Sequence, residues 1–284
     1  MMKKYNNIFQ LFMPLIFCIG CTQERTVPID SNYQAPVDLN WNFDTANPIL
    51  NDEFGASGLP DPSKWSYDVG NGGWGNNELE YYTDNKNASV NGGLLSIEAN
   101  KESFGGSNYT SARMVTKGKE DFLYGRFEIK AKVPNGRGLW PAIWLLSTDQ
   151  AYGTWPNSGE IDIMEQVGFD PNNIHCTVHN NAYNGQKGNQ KSNNSIILSA
   201  TTDFHVYRVD WTPFAIRGYI DDEQYFEYIN EGRGFISWPY DKKFYLILNV
   251  AVGGNWGGAN GIDDLAFPGK MQIDYVKVYP MIPK

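Results

Sequence analysis

The stretch SGEIDIMEQVG, residues 158–168, begins with the two-residue alternation of a β-strand. Glu160 and Asp162 face one side of this strand, and isoleucines face the other side, towards a core. Strict continuation would carry Glu165 to the core side, where an unpaired carboxylate costs several kcal/mol. A β-bulge at Ile163–Met164 adds one residue and returns Glu165 to the acid side. The pattern therefore predicts a bulged strand with three carboxylates on one surface.

Three carboxylates in this arrangement suit the chemistry of glycoside hydrolysis. Alternate residues on one strand face lie roughly 6–7 Å apart, so the carboxyl groups of Glu160 and Glu165 can approach the roughly 5–5.5 Å typical of retaining glycosidases. One group attacks the anomeric carbon, and the other protonates the leaving oxygen and then deprotonates water. Repulsion that includes Asp162 raises the pKa of at least one acid. Spacing alone leaves two alternatives open, a calcium-binding acidic strand and a solvated charged edge.

The rest of the chain after residue 47 has the pattern of an all-β protein. Short alternating apolar runs are separated by Gly, Asn, Asp and Pro, and examples are residues 94–99, 125–131, 206–211, 244–252 and 271–279. Many short strands with regular turn signals predict a sandwich or a jelly roll. We therefore expect a single domain over residues 48–284.

Composition and charge narrow the class of partner. Of 284 residues, 9 are Trp, 17 Tyr and 15 Phe, and the formal net charge is −9. A negative chain would repel the phosphate backbone, so we expect no nucleic acid partner. A neutral polysaccharide is compatible with this charge, and aromatic rings stack on the apolar faces of sugars. An aromatic-rich core would give the same counts.

The first residues have the pattern of a bacterial export signal. Lys3 and Lys4 precede an apolar run at residues 8–19, which is too short for a membrane-spanning helix. The run ends in CIGC, which resembles a lipobox, so residues 1–20 are the predicted signal peptide and Cys21 the predicted lipidation site. An ordinary signal peptide with a chance cysteine is the alternative. Residues 21–47 then form the lipidated cysteine and a flexible tether.

These features predict an exported lipoprotein of the outer membrane or cell surface, and a periplasmic orientation stays open. With Cys21 lipidated, Cys176 is the remaining thiol, so we expect no disulfide framework. A domain that must reach a polymer is expected to be a monomer.

The segment EIDIME at residues 160–165 resembles the signature of glycoside hydrolase family 16, in the laminarinase-type form that carries the extra bulge residue. Further matches extend over nearly the whole chain after the tether, at residues 73–83, 124–128, 138–146, 177–179, 210–213 and 248–256. The resemblance implies a concanavalin-like β-jelly-roll sandwich of two curved antiparallel sheets with a concave substrate cleft. It implies a retaining endo-hydrolase of laminarin-type β-1,3-glucan, with Glu160 as nucleophile, Glu165 as acid/base and Asp162 as the neighbour that tunes the nucleophile.

The resemblance also implies which side chains line the cleft. The matching positions are Asn76, Arg113, Trp140, Trp144, Trp155, His179 and Trp256. For the tryptophans at 140, 144 and 155, burial in the core is the alternative. The stretch NNAYNG at residues 180–185 departs from the family pattern, and loops of this kind shape the sugar subsites.

No cofactor is expected for catalysis. Relatives often hold a structural calcium ion on the convex face, and by analogy its ligands would be Glu53, the backbone of Gly93 and Asp274. His175 and His179 are four residues apart, but they lie in an alternating strand pattern without a third ligand, which disfavours zinc.

Several other functions are compatible with the sequence. Mixed-linkage β-1,3-1,4-glucan, agar and carrageenan are alternative substrates within the family, and the cleft loops decide among them. Sulfated galactans would be expected to need a more basic cleft. A non-catalytic glycan-binding protein on the same sandwich is the alternative from another class, and such proteins typically lose one or both glutamates.

Overall fold

The computed structural model describes residues 41–284. The predicted signal peptide, the lipidation site Cys21 and most of the predicted tether lie outside these residues. No helix in the described part of the chain has the length and apolarity needed to cross a bilayer. The strands in chain order are β1 (Trp41–Phe43), β2 (Leu50–Asp52), β3 (Ser66–Tyr67), β4 (Glu80–Tyr82), β5 (Ala88–Asn91), β6 (Leu94–Phe104), β7 (Ser107–Ser111), β8 (Arg113–Val115), β9 (Gly125–Lys132), β10 (Leu139–Ser147), β11 (Glu160–Glu165), β12 (Asn173–His179), β13 (Lys191–Ile196), β14 (His205–Trp211), β15 (Ala215–Ile220), β16 (Glu223–Ile229), β17 (Phe244–Val252), β18 (Gly269–Tyr279) and β19 (Met281–Pro283).

Two large sheets form the sandwich. Within residues 41–284 the first sheet has seven strands in the order β13-β12-β11-β10-β17-β8-β3. The second has ten in the order β16-β15-β14-β9-β18-β6-β7-β4, and β2 and β5 pair with β18 and β6. The predicted all-β jelly-roll sandwich is confirmed. The pairing of β4 with β7 is parallel, which departs from the expectation of purely antiparallel sheets.

The core lies between the two sheets and follows the alternation of the strands. In β9, buried and half-buried residues alternate without a break. Phe127 of this strand packs against Trp211, with ring centroids 6.3 Å apart, and Trp211 packs against Phe244 of the other sheet at 5.2 Å. Burial of each such side chain contributes roughly 1.5–3 kcal/mol, so these rings tie the two sheets together.

Strand β17 runs through the middle of the seven-stranded sheet and is buried along its whole length. On the outer side of this sheet, Tyr245 and Ile247 form a small apolar cluster with Val115, and Trp144 and Leu146 pack against it. We call this outer side the cleft face, because it also carries Glu160, Asp162 and Glu165 of β11. The sheet therefore has apolar contacts on both sides.

The predicted bulge in β11 is confirmed by the register with β10. Trp144 lies opposite Asp162, while the preceding residue Ile143 lies opposite Met164, so β11 has one extra residue between them. Ile163 and Met164 are both fully buried and belong to the core. The extra residue lets two successive apolar side chains enter the core, and the alternation resumes with the next carboxylate on the cleft face.

The folded part of the chain begins before the boundary predicted at residue 48. Residues Trp41–Phe43, which the sequence placed in the tether, form β1 and pair with β19. The Trp-Asn-Phe segment gains this order because Met281–Pro283 provides backbone partners near the other end of the described chain. Cys176, the thiol within the described residues, is free and buried.

Candidate active site

The cross-strand register places the three acids of β11 beside β12 on the cleft face. The opposing pairs are Glu160–His179, Asp162–Thr177 and Glu165–His175. Asp162 is only 2% exposed, whereas the two glutamates are partly exposed. Asp162 therefore lies at the floor of the site, with a glutamate on each side of it that reaches the cleft.

His179 faces two of the acids. Its Nε2 atom lies 3.3 Å from Asp162 Oδ2 and 3.7 Å from Glu160 Oε1. Its other nitrogen, Nδ1, accepts a hydrogen bond from the backbone N–H of Gly185 at 3.2 Å. Because Nδ1 accepts, the ring proton is on Nε2, the nitrogen nearest to the two carboxylates.

The loop at residues 180–185 fixes this orientation of His179. Asn180 is fully buried, and its side chain accepts from the backbone N–H of Tyr183 at 2.9 Å and donates to the carbonyl of Ser237 at 3.1 Å. The loop at residues 180–185 therefore forms a wall that is anchored by buried hydrogen bonds. Trp155 adds to this wall, because its ring lies 5.7 Å from that of His179.

A second wall stands beside Glu165. The indole N–H of Trp140 donates to Glu165 Oε1 at 3.1 Å. Trp256 meets Trp140 edge to face at 5.5 Å and meets His175 in the same way at 5.1 Å. These contacts place His175 in the aromatic wall rather than in a metal pair with a second histidine.

Burial raises the pKa of all three carboxyl groups. The pKa values of Glu160 and Glu165 rise to about 8 through burial first and the negative charge of Asp162 second. Burial also raises the pKa of Asp162 to about 8. Neighbouring carboxylates in one low-dielectric site share protons rather than ionise together. The cluster can therefore offer one ionised and one protonated carboxyl group near neutral pH.

Arg113 lies at the opposite side of the cleft face, between two indole rings. Its guanidinium carbon lies 4.9 Å from the ring centroid of Trp74 and 4.8 Å from that of Trp144. Its Nε atom forms an ion pair with Asp68 at 3.0 Å. The positive charge is thus partly neutralised, and the guanidinium serves to hold the two rings in place.

The family model described as glycosyl hydrolases family 16 matches residues 75–277. The chain belongs to glycosyl hydrolase family 16. A beta-glucanase of Rhodothermus marinus is 53% identical over 270 residues, which is 92% of this chain and 91% of that protein. The X-ray structure of the laminarinase from the same organism matches with a TM-score of 0.83 at 50% identity, covering 85% of this chain and 99% of that one.

Another relative has a different glycan in its name. The keratan-sulfate endo-1,4-beta-galactosidase of Sphingobacterium multivorum is 38% identical over 240 residues, covering 82% of this chain and 55% of that protein. The family thus establishes glycoside hydrolase chemistry for this chain, and the choice of glycan depends on the cleft.

The structure brings most of the predicted cleft residues of this family 16 chain into two groups on the cleft face. Trp140 and His179 lie beside the acids, and Trp256 and Trp155 pack on them. Trp144 is paired with Asp162 on the neighbouring strand, and Arg113 lies over its ring. The remaining predicted residue is Asn76, which is half-buried and donates through Nδ2 to Glu78 Oε1 at 3.2 Å. Their contact with substrate stays a prediction.

Sequence reasoning missed Trp74, Glu78 and Asn249, which contact the predicted cleft residues Arg113, Asn76 and Trp144, and it missed Tyr82, which joins Asn249 to Glu78. Three of these lie in the motif at residues 73–83, so their position in a quoted family match was the available signal. Trp74 adopts a left-handed backbone conformation with φ 48° between two glycines, which turns its ring towards Arg113.

The strand register of the ten-stranded sheet brings the backbones of the predicted calcium ligands close together. Glu53 follows β2 and Gly93 precedes β6, and Asp274 lies between the stretches of β18 that pair with these two strands. The carboxylates of Glu53 and Asp274 form ion pairs at 2.8 Å with Lys277 and Lys130. The oxygen donors suit calcium, but an ion would have to displace both lysines.

On the cleft face, Glu160, Asp162 and His179 offer ligand atoms within 4.8 Å of one another, close enough to share a metal ion. Two observations favour a role in proton chemistry for these groups. His179 Nε2 is the ring nitrogen that lies nearest to Asp162 and Glu160, and Glu160 is partly exposed, as an attacking carboxylate must be in glycoside hydrolysis.

Proposed function

We propose that this family 16 enzyme is a retaining endo-hydrolase of β-1,3-glucan. The observation that carries the proposal is the bulged strand β11, which sets Glu160 and Glu165 on the cleft face on either side of a buried Asp162. The 53% identity to a beta-glucanase over most of the chain supports the choice of glucan.

In the proposed mechanism, ionised Glu160 is the nucleophile and protonated Glu165 is the acid. A carboxylate oxygen of Glu160 forms a bond to the anomeric carbon while the glycosidic bond breaks, and Glu165 transfers its proton to the leaving oxygen. In the second step, Glu165 takes a proton from water, the water oxygen bonds to the anomeric carbon, and Glu160 is released. Two inversions give net retention.

His179 and Asp162 support the nucleophile in this scheme. His179 Nε2 lies 3.3 Å from Asp162 Oδ2 and 3.7 Å from Glu160 Oε1, so in this scheme its N–H dipole stabilises the negative charge that one of the two carboxylates carries at each stage. Trp140 donates to Glu165 and stabilises the carboxylate left after proton transfer.

The character of the cleft supports a neutral glucan over a sulfated galactan. Its walls are aromatic, and the guanidinium of Arg113 is engaged by Asp68 and two indole rings. A sulfate group would also meet three acids of β11. A neutral sugar ring can stack on the indoles without desolvating a charge.

The test is hydrolysis of laminarin by the domain without residues 1–20, alongside the variant Glu160→Gln. We expect short oligosaccharides from laminarin by chromatography and none from the variant. Barley mixed-linkage glucan, agarose and carrageenan are tested in parallel. Products from one of these and none from laminarin would refute the proposed substrate, and laminarin retained on a column without cleavage would indicate a binding protein.

We also propose that the full chain is a lipoprotein, cleaved after residue 20 and anchored through Cys21. The apolar run at residues 8–19 and the CIGC sequence support this proposal. Labelled palmitate should enter the wild-type protein and not Cys21→Ser, and only the wild type should sediment with membranes. Protease access on intact cells then distinguishes a surface location from a periplasmic one.

We propose that the catalytic domain is a monomer and that calcium, where it binds, has a structural role. The convergence of Glu53, Gly93 and Asp274 on the sheet opposite the cleft face supports a structural role, because these groups are remote from β11 in the fold. Light scattering of the purified domain tests the monomer.

A further inference from the structure

A chain of buried polar groups runs from Trp144 on the cleft face to the segment before β4. The indole N–H of Trp144 donates to Asn249 Oδ1 at 2.7 Å. The amide Nδ2 of Asn249 donates to the hydroxyl of Tyr82 at 3.0 Å. The same hydroxyl donates to Glu78 Oε2 at 3.0 Å. Every link uses a donor of one group and an acceptor of the next, so the chain has one direction and ends on a carboxylate.

Glu78 also forms a hydrogen bond with Asn76, a second residue that is predicted to contact the sugar. Its other oxygen, Oε1, accepts from Asn76 Nδ2 at 3.2 Å. The backbone of Glu78 forms a bridge with Gly253 just beyond β17, which fixes the carboxylate relative to the sheet. Glu78 is only 9% exposed. The buried carboxylate of Glu78 therefore accepts hydrogen bonds from both Asn76 and Tyr82, and each of these connects it to a predicted cleft residue or is one itself.

Glu80 is a second buried carboxyl group, two residues from Glu78. Its Oε2 accepts from the backbone N–H of Val252 at 2.6 Å, at the end of β17 that β8 does not cover. Its Oε1 is buried without a donor among the described residues. Burial first, and the charge of Glu78 second, raise the pKa of Glu80 well above its usual range. Burial therefore favours the protonated form of Glu80, next to the carboxylate on which the chain ends.

The face of the Trp144 ring is fixed as well. The guanidinium of Arg113 lies over it at 4.8 Å, and Arg113 is held in turn by Asp68. A ring that is held by its N–H and by one face has no freedom to turn about its side-chain torsions. The plane that it presents to a sugar is then set by the residues behind it.

We propose that Glu78 is a positioning residue for substrate binding, which orients Asn76 directly and Trp144 through Tyr82 and Asn249. This inference rests on the proposed function, because that function assigns a sugar to the Trp144 platform. Glu78 does not touch the reacting atoms. Loss of the chain therefore weakens sugar binding and leaves the bond-breaking step in place.

The test is a double-mutant cycle of Tyr82→Phe and Trp144→Phe, with KM and kcat measured on laminarin. Tyr82→Phe keeps the buried ring and removes the hydroxyl that links the chain, and Trp144→Phe keeps an aromatic platform and removes the N–H. Tyr207→Phe is the matched control, because this tyrosine is also fully buried and its hydroxyl has no hydrogen-bond partner among the described residues.

We expect each single variant to raise KM on the order of tenfold, as for a buried polar group left unpaired, with kcat within about twofold of the wild type. The double variant should be no worse than the poorer single variant, because both cut the same chain. Tyr207→Phe should leave both constants unchanged. An unchanged KM in Tyr82→Phe, or a double variant with the product of the two single effects, overturns the proposal.

If circular dichroism shows that Tyr82→Phe does not fold, Glu78→Gln replaces it in the cycle, because the amide cannot accept from both Tyr82 and Asn76. If the wild type does not cleave laminarin, the proposed substrate fails. The cycle is then measured on the polysaccharide that the wild type does cleave, and the positioning role is judged there.

Discussion

The indole N–H of Trp140 donates to Glu165 Oε1 at 3.1 Å, so an aromatic wall residue is hydrogen-bonded to the proposed acid/base. This hydrogen bond favours the ionised form of Glu165 and opposes the larger effects of burial and the neighbouring Asp162, which raise its pKa. Trp256 packs edge to face on Trp140 at 5.5 Å and keeps the indole in this position. Trp140 therefore couples the aromatic wall to the protonation of Glu165.

The variant Trp140→Phe should separate these two roles, because it keeps an aromatic face and removes the donor. The pKa of Glu165 should rise further, so the alkaline limb of the kcat/KM profile should move to higher pH. The lost hydrogen bond to a charged group costs about 1.5–3 kcal/mol, or roughly 10- to 100-fold in rate. A pH–rate profile checks this, and an alkaline limb that moves to lower pH would contradict it.

Glu165→Ala should lose roughly 10²- to 10⁴-fold in activity on laminarin, as expected when a general acid/base is removed. Azide should restore turnover of an aryl β-glucoside with a good leaving group, since the first step then needs no acid. The product should be the β-glycosyl azide, because azide attacks the intermediate on Glu160. Glu160→Ala with azide should give the α-anomer instead. An α-azide from Glu165→Ala would exchange the proposed roles, and proton NMR of the product distinguishes the two.

Asp162→Asn should stabilise the domain increasingly as pH rises from about 4 to 8. Burial raises the pKa of Asp162 to about 8 in the folded protein, while the unfolded chain loses this proton near its ordinary value. Between these values the folded state binds more protons, so raising the pH favours unfolding of the wild type. The melting temperature of the variant should exceed that of the wild type by a margin that grows up to pH 8 and then levels, at about 2–4 °C per kcal/mol.

Scanning fluorimetry across this pH range measures the difference. Glu223→Gln is a suitable control, because Glu223 is an exposed acid at the start of β16. A margin for Asp162→Asn that stays constant between pH 5 and pH 8 would contradict the prediction, because it would mean that the aspartate is ionised in the folded protein throughout this range.

Calcium should raise the melting temperature of the domain without changing the turnover of laminarin. Binding to the folded state alone stabilises by about 2.7 kcal/mol when calcium is at 100 times its dissociation constant. The effect should disappear in EDTA and in Asp274→Asn, whereas Lys130→Ala should strengthen it, because Lys130 now pairs with Asp274. An identical melting temperature with and without calcium would remove these residues as a site.

The sequence predicted the acids of β11 and their bulge because a lone buried carboxylate is so costly that only one arrangement of the strand was acceptable. The same reasoning did not predict the position of Glu80, whose carboxyl group is fully buried. Its partner is the backbone N–H of Val252, a residue 172 positions away, and no local pattern reveals such a contact. The parallel pairing of β4 with β7 was missed for the same reason, since it depends on how distant strands meet. Trp41–Phe43 was placed in the tether because its partner strand lies at residues 281–283.

The bulge also determines how this strand can change in length. In a regular strand the side chains alternate between the two faces, so the loss or gain of one residue would move every following side chain to the opposite face. At Ile163–Met164 one residue does not follow this alternation, because both side chains point into the core. A deletion of Met164 would leave strict alternation from Glu160 to Glu165 and keep all three acids in the cleft. The middle of the most constrained strand is therefore a place where a family can lose one residue without losing its chemistry.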